Sequence, residues 1–138
     1  MNTLSWFLAL VFAVSPAVVK AAPDDETAAA IIDGGHWQAD SREGTYRIRI
    51  ESVGFEHVSC RVWIEWLTAA TPDAPSQLLA RAPFAEASNG MWACKLDAVS
   101  TPLQDNVLTL PATHTYSNEP HVFKVALGSP GEYQVLTP

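Results

Sequence analysis

The strongest pattern in the chain is an alternation of apolar and polar residues, strict over positions 46–51 and looser over positions 57–67. A period of two is typical of a strand with one face in the protein core and the other in solvent. The pattern therefore predicts two strands whose inner faces carry the apolar residues. The residues expected on the inner face are Tyr46, Ile48, Ile50, Val58, Cys60, Val62, Ile64 and Trp66.

The short segment 52–54, Ser-Val-Gly, predicts a hairpin loop between these two strands. Glycine at its last position suits the left-handed backbone that a three-residue loop requires. Such a loop pairs Ile48 with Val58 and Tyr46 with Cys60 on the inner face. A five-residue loop keeps the same faces and shifts each pair by two, so the sequence specifies the faces better than the register.

Five further segments show shorter strand patterns, and prolines separate several of them. Outside the first 21 residues, no window has the apolar stripe of a helix. About seven short strands with turns between them predict an all-β fold, either an antiparallel β-sandwich or a small barrel. The further strands are expected at 77–82, 91–96, 107–110, 121–127 and 132–136.

Residues 1–21 have the pattern of a secretory signal peptide, which is cleaved from the mature protein. Residues 4–14 form an apolar run, Pro16 follows it, and small residues precede a cleavage site after Ala21. A cut after Ala17 is the alternative. The run is shorter than the about 20 apolar residues of a membrane-spanning helix, so we expect no membrane span after cleavage. The leader predicts a periplasmic or secreted protein.

The rest of the chain is expected to comprise a flexible lead-in, 22–30, and a single β domain, 31–138. The formal net charge of −7 argues against nucleic acid and anionic lipid as partners, because binding them needs a positive field. Cys60 and Cys94 are the only two cysteines. In an oxidising compartment they are expected to form a disulfide.

Arginine is concentrated on the predicted hairpin, and Trp63 lies among the arginines on its outer face. Trp and Arg are enriched at the centres of binding interfaces. The outer face is therefore a candidate contact surface for a partner protein or an envelope polysaccharide. The alternative is a solvated face of cross-strand Arg–Glu pairs. The candidate contact residues are Trp63, Arg47, Arg49, Arg61 and Glu65.

The sequence contains no motif that indicates catalysis, a cofactor or a metal site. It has no G-x-S-x-G segment, and its four histidines lack the close pairing of zinc ligands. We therefore expect a protein that acts by binding, not an enzyme. One alternative is an acidic inhibitor of a cationic secreted enzyme. Another is a carrier whose barrel interior, lined by Trp66, Trp92 and Val62, holds an apolar small ligand. A third is a structural subunit that assembles through a free strand edge.

Overall fold

The strands of the protein form two four-stranded antiparallel sheets. The computed structural model describes residues 28–98 and 103–136, so the predicted signal peptide and most of the lead-in lie outside the described residues. The first sheet has the order β1-β2-β3-β4 and the second the order β5-β6-β7-β8. The strands are β1 (Ala30–Ala39), β2 (Arg42–Val53), β3 (Ser59–Thr68), β4 (Leu78–Pro83), β5 (Trp92–Cys94), β6 (Val107–His114), β7 (Pro120–Leu127) and β8 (Tyr133–Val135).

Side chains from both sheets fill one hydrophobic core. Ile48 and Ile64 of the first sheet and Leu110 and Val125 of the second are completely buried. The all-β prediction is confirmed, and two separate sheets around one core correspond to the sandwich alternative. The described part of the chain has eight strands where the sequence predicted about seven.

The hairpin of β2 and β3 has the predicted faces but not the predicted register. Ile48 pairs with Ile64 and Tyr46 pairs with Trp66, six positions beyond the expected partners. The reason is that β2 continues to Val53 and the loop comprises residues 54–58. Val58 consequently lies in the loop and is exposed, although its alternation placed it on the inner face. The longer strands bring more of the two apolar faces into contact, which favours the observed register.

The eighth strand is β1, and a bulge explains why its sequence did not predict a strand. Ile32 points into the core before the bulge, and Trp37 does so after it. The register shifts between Gly34 and Trp37, so one extra residue of β1 is opposed to β2. An extra residue changes the phase of the inward positions from even to odd numbers. The period of two is therefore interrupted within the strand.

Gly44 of β2 is required by the packing around Trp37. The buried Trp37 indole donates a hydrogen bond from Nε1 to the carbonyl oxygen of Leu67 over 3.0 Å. A Cβ atom at position 44 would overlap that same carbonyl oxygen and crowd the Trp37 nitrogen. Only glycine allows the two groups to approach each other at this point.

The predicted disulfide is confirmed, and it joins the two sheets. Cys60 belongs to β3 and Cys94 to β5, with their Cα atoms 5.7 Å apart.

Two strands end at positions other than those expected. Beyond Cys94 the strand that was expected to reach residue 96 ends, and a 3-10 turn, Leu96–Ala98, follows. By contrast, β6 continues through Pro111, whose carbonyl accepts a hydrogen bond from the Lys95 amide. The prolines thus mark strand ends less regularly than expected.

A buried hydroxyl also links the sheets. Tyr46 Oη lies 2.7 Å from the carbonyl oxygen of Gly128 and 3.1 Å from that of Leu127. Burial raises the pKa of Tyr46 above its ordinary value, because the ionised ring would lose its hydration. The folded protein thus holds this proton more tightly than the unfolded chain does.

This linkage predicts a loss of stability in alkali. The free energy by which the buried, protonated Tyr46 hydroxyl stabilises the fold is fully present below about pH 10. It is lost as the pH rises through the raised pKa of Tyr46. We expect Tyr46→Phe to be less stable at neutral pH by about 1 kcal/mol, and to lose less additional stability between about pH 8 and pH 11. Urea unfolding at both pH values measures the difference. Tyr116→Phe, which alters an exposed ring, is the control; an equal alkaline loss in wild type and Tyr46→Phe contradicts the prediction.

In the part of the chain that the structure describes, we find no helix with the length and apolarity needed to cross a membrane.

Candidate functional site

The outer face of the first sheet carries a row of charged residues whose sign alternates from strand to strand. The register places Asp33 beside Arg47, Arg47 beside Glu65, and Glu65 beside Arg81. The row therefore crosses all four strands. A second row on the same face runs next to it and consists of Ile31, Arg49, Trp63 and Pro83.

Arg49 and Glu65 form an ion pair that joins the two rows. Arg49 Nε lies 2.9 Å from Glu65 Oε1. Both residues are only 4% exposed, although the alternation placed them on a solvated face. Their neighbours on this face include Arg47 and Trp63, whose side chains are large enough to cover them. The expected exposure of these two candidate contact residues is therefore wrong, and they lie beneath the surface that a partner would meet.

The other charged candidates remain nearer to solvent. Arg47 Nε donates to Asp33 Oδ1 over 2.7 Å, and the carboxylate of that pair is largely exposed. Arg61 Nη1 lies 3.9 Å from Glu51 Oε2, and about half of the Arg61 side chain is exposed. The Asp33 carboxylate and the Arg61 side chain are therefore accessible to a partner.

Trp63 is fixed in orientation by its contacts on this face. Its indole Nε1 donates to Glu51 Oε2 over 3.3 Å. The guanidinium of Arg81 stacks on the indole, with Arg81 Cζ 3.8 Å from the ring centroid. Such a cation–π contact is worth about 0.5–2 kcal/mol, depending on how far the cation is desolvated. Trp63 and Arg81 thus form one rigid unit near the middle of the face.

Arg81 has hydrogen-bonding capacity that the described residues leave unused. Its Nε and Nη2 atoms are shielded from solvent, and no described group accepts a hydrogen bond from either of them. The neighbouring carboxylate, Glu65, is instead bonded to Arg49. A buried donor without an acceptor costs about 1–3 kcal/mol. Arg81 thus lies beside Glu65 with two donors that are unpaired among the described residues and closed to solvent.

The outer face is less acidic than the chain as a whole. Its described strands carry four arginines, Arg47, Arg49, Arg61 and Arg81, and four carboxylates, Asp33, Glu43, Glu51 and Glu65. The face is thus neutral in a chain whose formal net charge is −7.

Sequence reasoning identified Trp63 and four of its neighbours but missed Arg81. The structure brings Arg81 to Trp63 because β4 pairs with β3. The available signal is local: Arg81 is the one charged residue in the apolar strand β4, and it lies between Ala80 and Ala82, which face the core. The phase of β4 thus indicates that Arg81 points outward, but not that it lies beside Trp63.

Among the described residues, no group of three or more His, Cys, Asp or Glu side chains is placed to hold a metal ion. Comparisons of the chain with protein-family models, with curated protein sequences and with solved structures found no match. The geometry of the face itself is therefore the basis for assigning a function.

Proposed function

We propose that the protein is an exported binding protein that recognises an acidic surface of a partner protein through the outer face of its first sheet. Export rests on the leader pattern of residues 1–21, and the disulfide between Cys60 and Cys94 fits an oxidising compartment. Binding, not catalysis, is the proposed activity. The contact centre is the Trp63–Arg81 stack, with Arg61 and Arg47 around it.

The observation that carries this proposal is the stacking of the Arg81 guanidinium on Trp63, with Arg81 Cζ 3.8 Å from the ring centroid. Trp and Arg are enriched among the residues that contribute most to binding at interfaces. The planar guanidinium is also the side-chain group best suited to pair with a carboxylate of a partner. Stacking on Trp63 limits the rotation of the guanidinium, so less side-chain entropy would be lost on binding.

The breadth of the face and the ion pair buried beneath it fit a protein partner. A four-stranded sheet offers a broad surface, and Ile31 and Pro83 add exposed apolar groups on either side of the centre. Trp and Arg at the centre with a polar surround is the usual composition of an interface centre. The buried Arg49–Glu65 pair beneath would hold the surface groups in place.

The interior of the sandwich supports surface binding over the carriage of an apolar ligand. Trp66 and Val62, which were expected to line a barrel interior, are completely buried and pack in the common core, with Trp92 against its edge. Space filled by side chains holds no ligand without repacking.

Site-specific photo-crosslinking in living cells tests the proposal. A photoreactive amino acid replaces Ile31, which is 38% exposed beside Arg49 and two strands from Trp63. The matched control replaces Val122, which is 41% exposed on the outer face of the second sheet. We expect a protease-sensitive adduct from position 31 only. The intact mass of the recovered chain also reports whether residues 1–21 have been removed.

A further inference from the structure

A second site lies at one end of the sandwich and is built from both sheets. The loop 54–58 joins β2 to β3, and the loop 115–119 joins β6 to β7. Between them is a cleft of about 200 Å³, with Ala93 of β5 also in its wall. Sites for drug-sized ligands occupy about 300–1,000 Å³, so this cleft suits one smaller group.

The cleft is lined mainly by polar side chains that have capacity for a ligand. In the described part of the chain, the Glu56 carboxylate, the Thr113 hydroxyl and the Asn118 side-chain amide lie in the wall without a hydrogen bond to another protein group. Together they offer a carboxylate acceptor, an amide that donates and accepts, and a hydroxyl that does both. A ligand with several hydroxyl groups matches such a set.

His114 adds a donor whose tautomer is fixed by the loop. Its Nδ1 accepts hydrogen bonds from the backbone amides of Tyr116, over 3.3 Å, and Ser117, over 3.2 Å. The ring proton of the neutral imidazole is therefore on Nε2. The indole of Trp92 packs edge-on against this ring, with the centroids 5.1 Å apart. The His114 donor is thus held in place before any ligand arrives.

Exposed aromatic rings stand beside the cleft. Tyr116 is 67% exposed and lies against the His57 ring, with the centroids 5.7 Å apart. Phe55, in the other loop, is 98% exposed. Aromatic faces next to convergent polar groups suit a ligand that has an apolar C–H face as well as hydroxyls.

The charge of the cleft selects against anions. Among the described residues that line the cleft, Glu56 is the only acidic side chain. The two histidines are the only basic ones, and no described Lys or Arg contributes to the wall. An anionic ligand would meet Glu56 without a compensating cation. A neutral ligand would use the same carboxylate as an acceptor for two hydroxyls.

We propose that this cleft binds a neutral sugar residue, with its hydroxyls on Glu56, Thr113 and Asn118 and its C–H face against Tyr116. The cleft volume limits recognition to one ring, such as the terminal residue of a glycan. The residues that line the cleft are different from those of the Trp63–Arg81 stack.

Titration of the full ¹⁵N-labelled chain with glucose, galactose and N-acetylglucosamine, each followed by amide chemical shifts, tests the proposal. We expect at least one sugar to cause saturable shifts confined to residues 54–58 and 113–118. Glu56→Ala and Asn118→Gly should each weaken this binding by about tenfold, the factor for about 1.4 kcal/mol. Glycine at position 118 keeps the left-handed backbone that Asn118 adopts there, with φ of 59°.

Arg81→Gln is the matched control and should leave sugar binding unchanged, which separates this site from the charged face. Absence of saturable shifts with all three sugars overturns the proposal. So does saturable binding that Glu56→Ala and Asn118→Gly leave intact. Titration with arginine amide tests a cationic ligand, and tighter binding of arginine amide than of every sugar would also overturn the assignment.

Discussion

Arg49→Met is expected to lower the free energy of unfolding by about 3–5 kcal/mol. The substitution removes the guanidinium that lies 2.9 Å from the Glu65 carboxylate, and a buried charge that loses its bonded partner is costly. Met keeps much of the apolar volume of the arginine side chain, so the loss reports the charge and not a cavity. Equilibrium urea unfolding of wild type and variant measures it.

A double-mutant cycle separates the pair from its surroundings. Arg49→Met combined with Glu65→Leu removes both charges, and we expect the double variant to recover most of the stability lost in Arg49→Met. Arg61→Met is the matched control, because the Arg61–Glu51 pair is longer and its arginine is about half exposed, and should change stability by about 1 kcal/mol or less. Equal losses in Arg49→Met and Arg61→Met would show that burial does not distinguish the two pairs.

Removing the disulfide is expected to lower the free energy of unfolding by about 3–4 kcal/mol. Cys60 and Cys94 are 34 positions apart in sequence, so the bond closes a long loop of the unfolded chain. It also ties β3 of the first sheet to β5 of the second. Against a typical total of about 5–15 kcal/mol for a domain, this is a large share.

The Cys60→Ala/Cys94→Ala double variant, unfolded in urea beside the oxidised wild type, measures this contribution. Wild type kept in a reducing agent is the control and should unfold at nearly the same urea concentration as the double variant. Coincident unfolding curves for oxidised wild type and the double variant would contradict a stabilising role of the bond.

The sequence predicted which residues of the central hairpin face the core, because alternation along a strand reports its two faces directly. Ile48, Ile64 and Trp66 are buried as their phase required. Alternation carries no information about how far the strands extend past the turn, and for that reason the register was wrong by six positions. The bulge at Gly34 interrupts the alternation, so β1 and the burial of Trp37 escaped prediction.

Alternation also predicted part of the candidate site, because it reports which residues point outward. Trp63, Arg47 and Arg61 lie on the outer face as their phase indicated. The burial of Arg49 with Glu65 depends on a diagonal contact between strands, which only the true register defines. Arg81 reaches Trp63 through the pairing of β3 with β4, a long-range contact that neither local segment reveals.

The central claim is that the Trp63–Arg81 face contacts an acidic partner protein in the cell. The most direct test is the yield of the crosslink from position 31 with and without the substitution Arg81→Gln, in chains of equal unfolding midpoint. The account predicts a protein adduct that depends on Arg81, with none from position 122. An equal yield from positions 31 and 122, or a yield from position 31 that Arg81→Gln does not change, would contradict it.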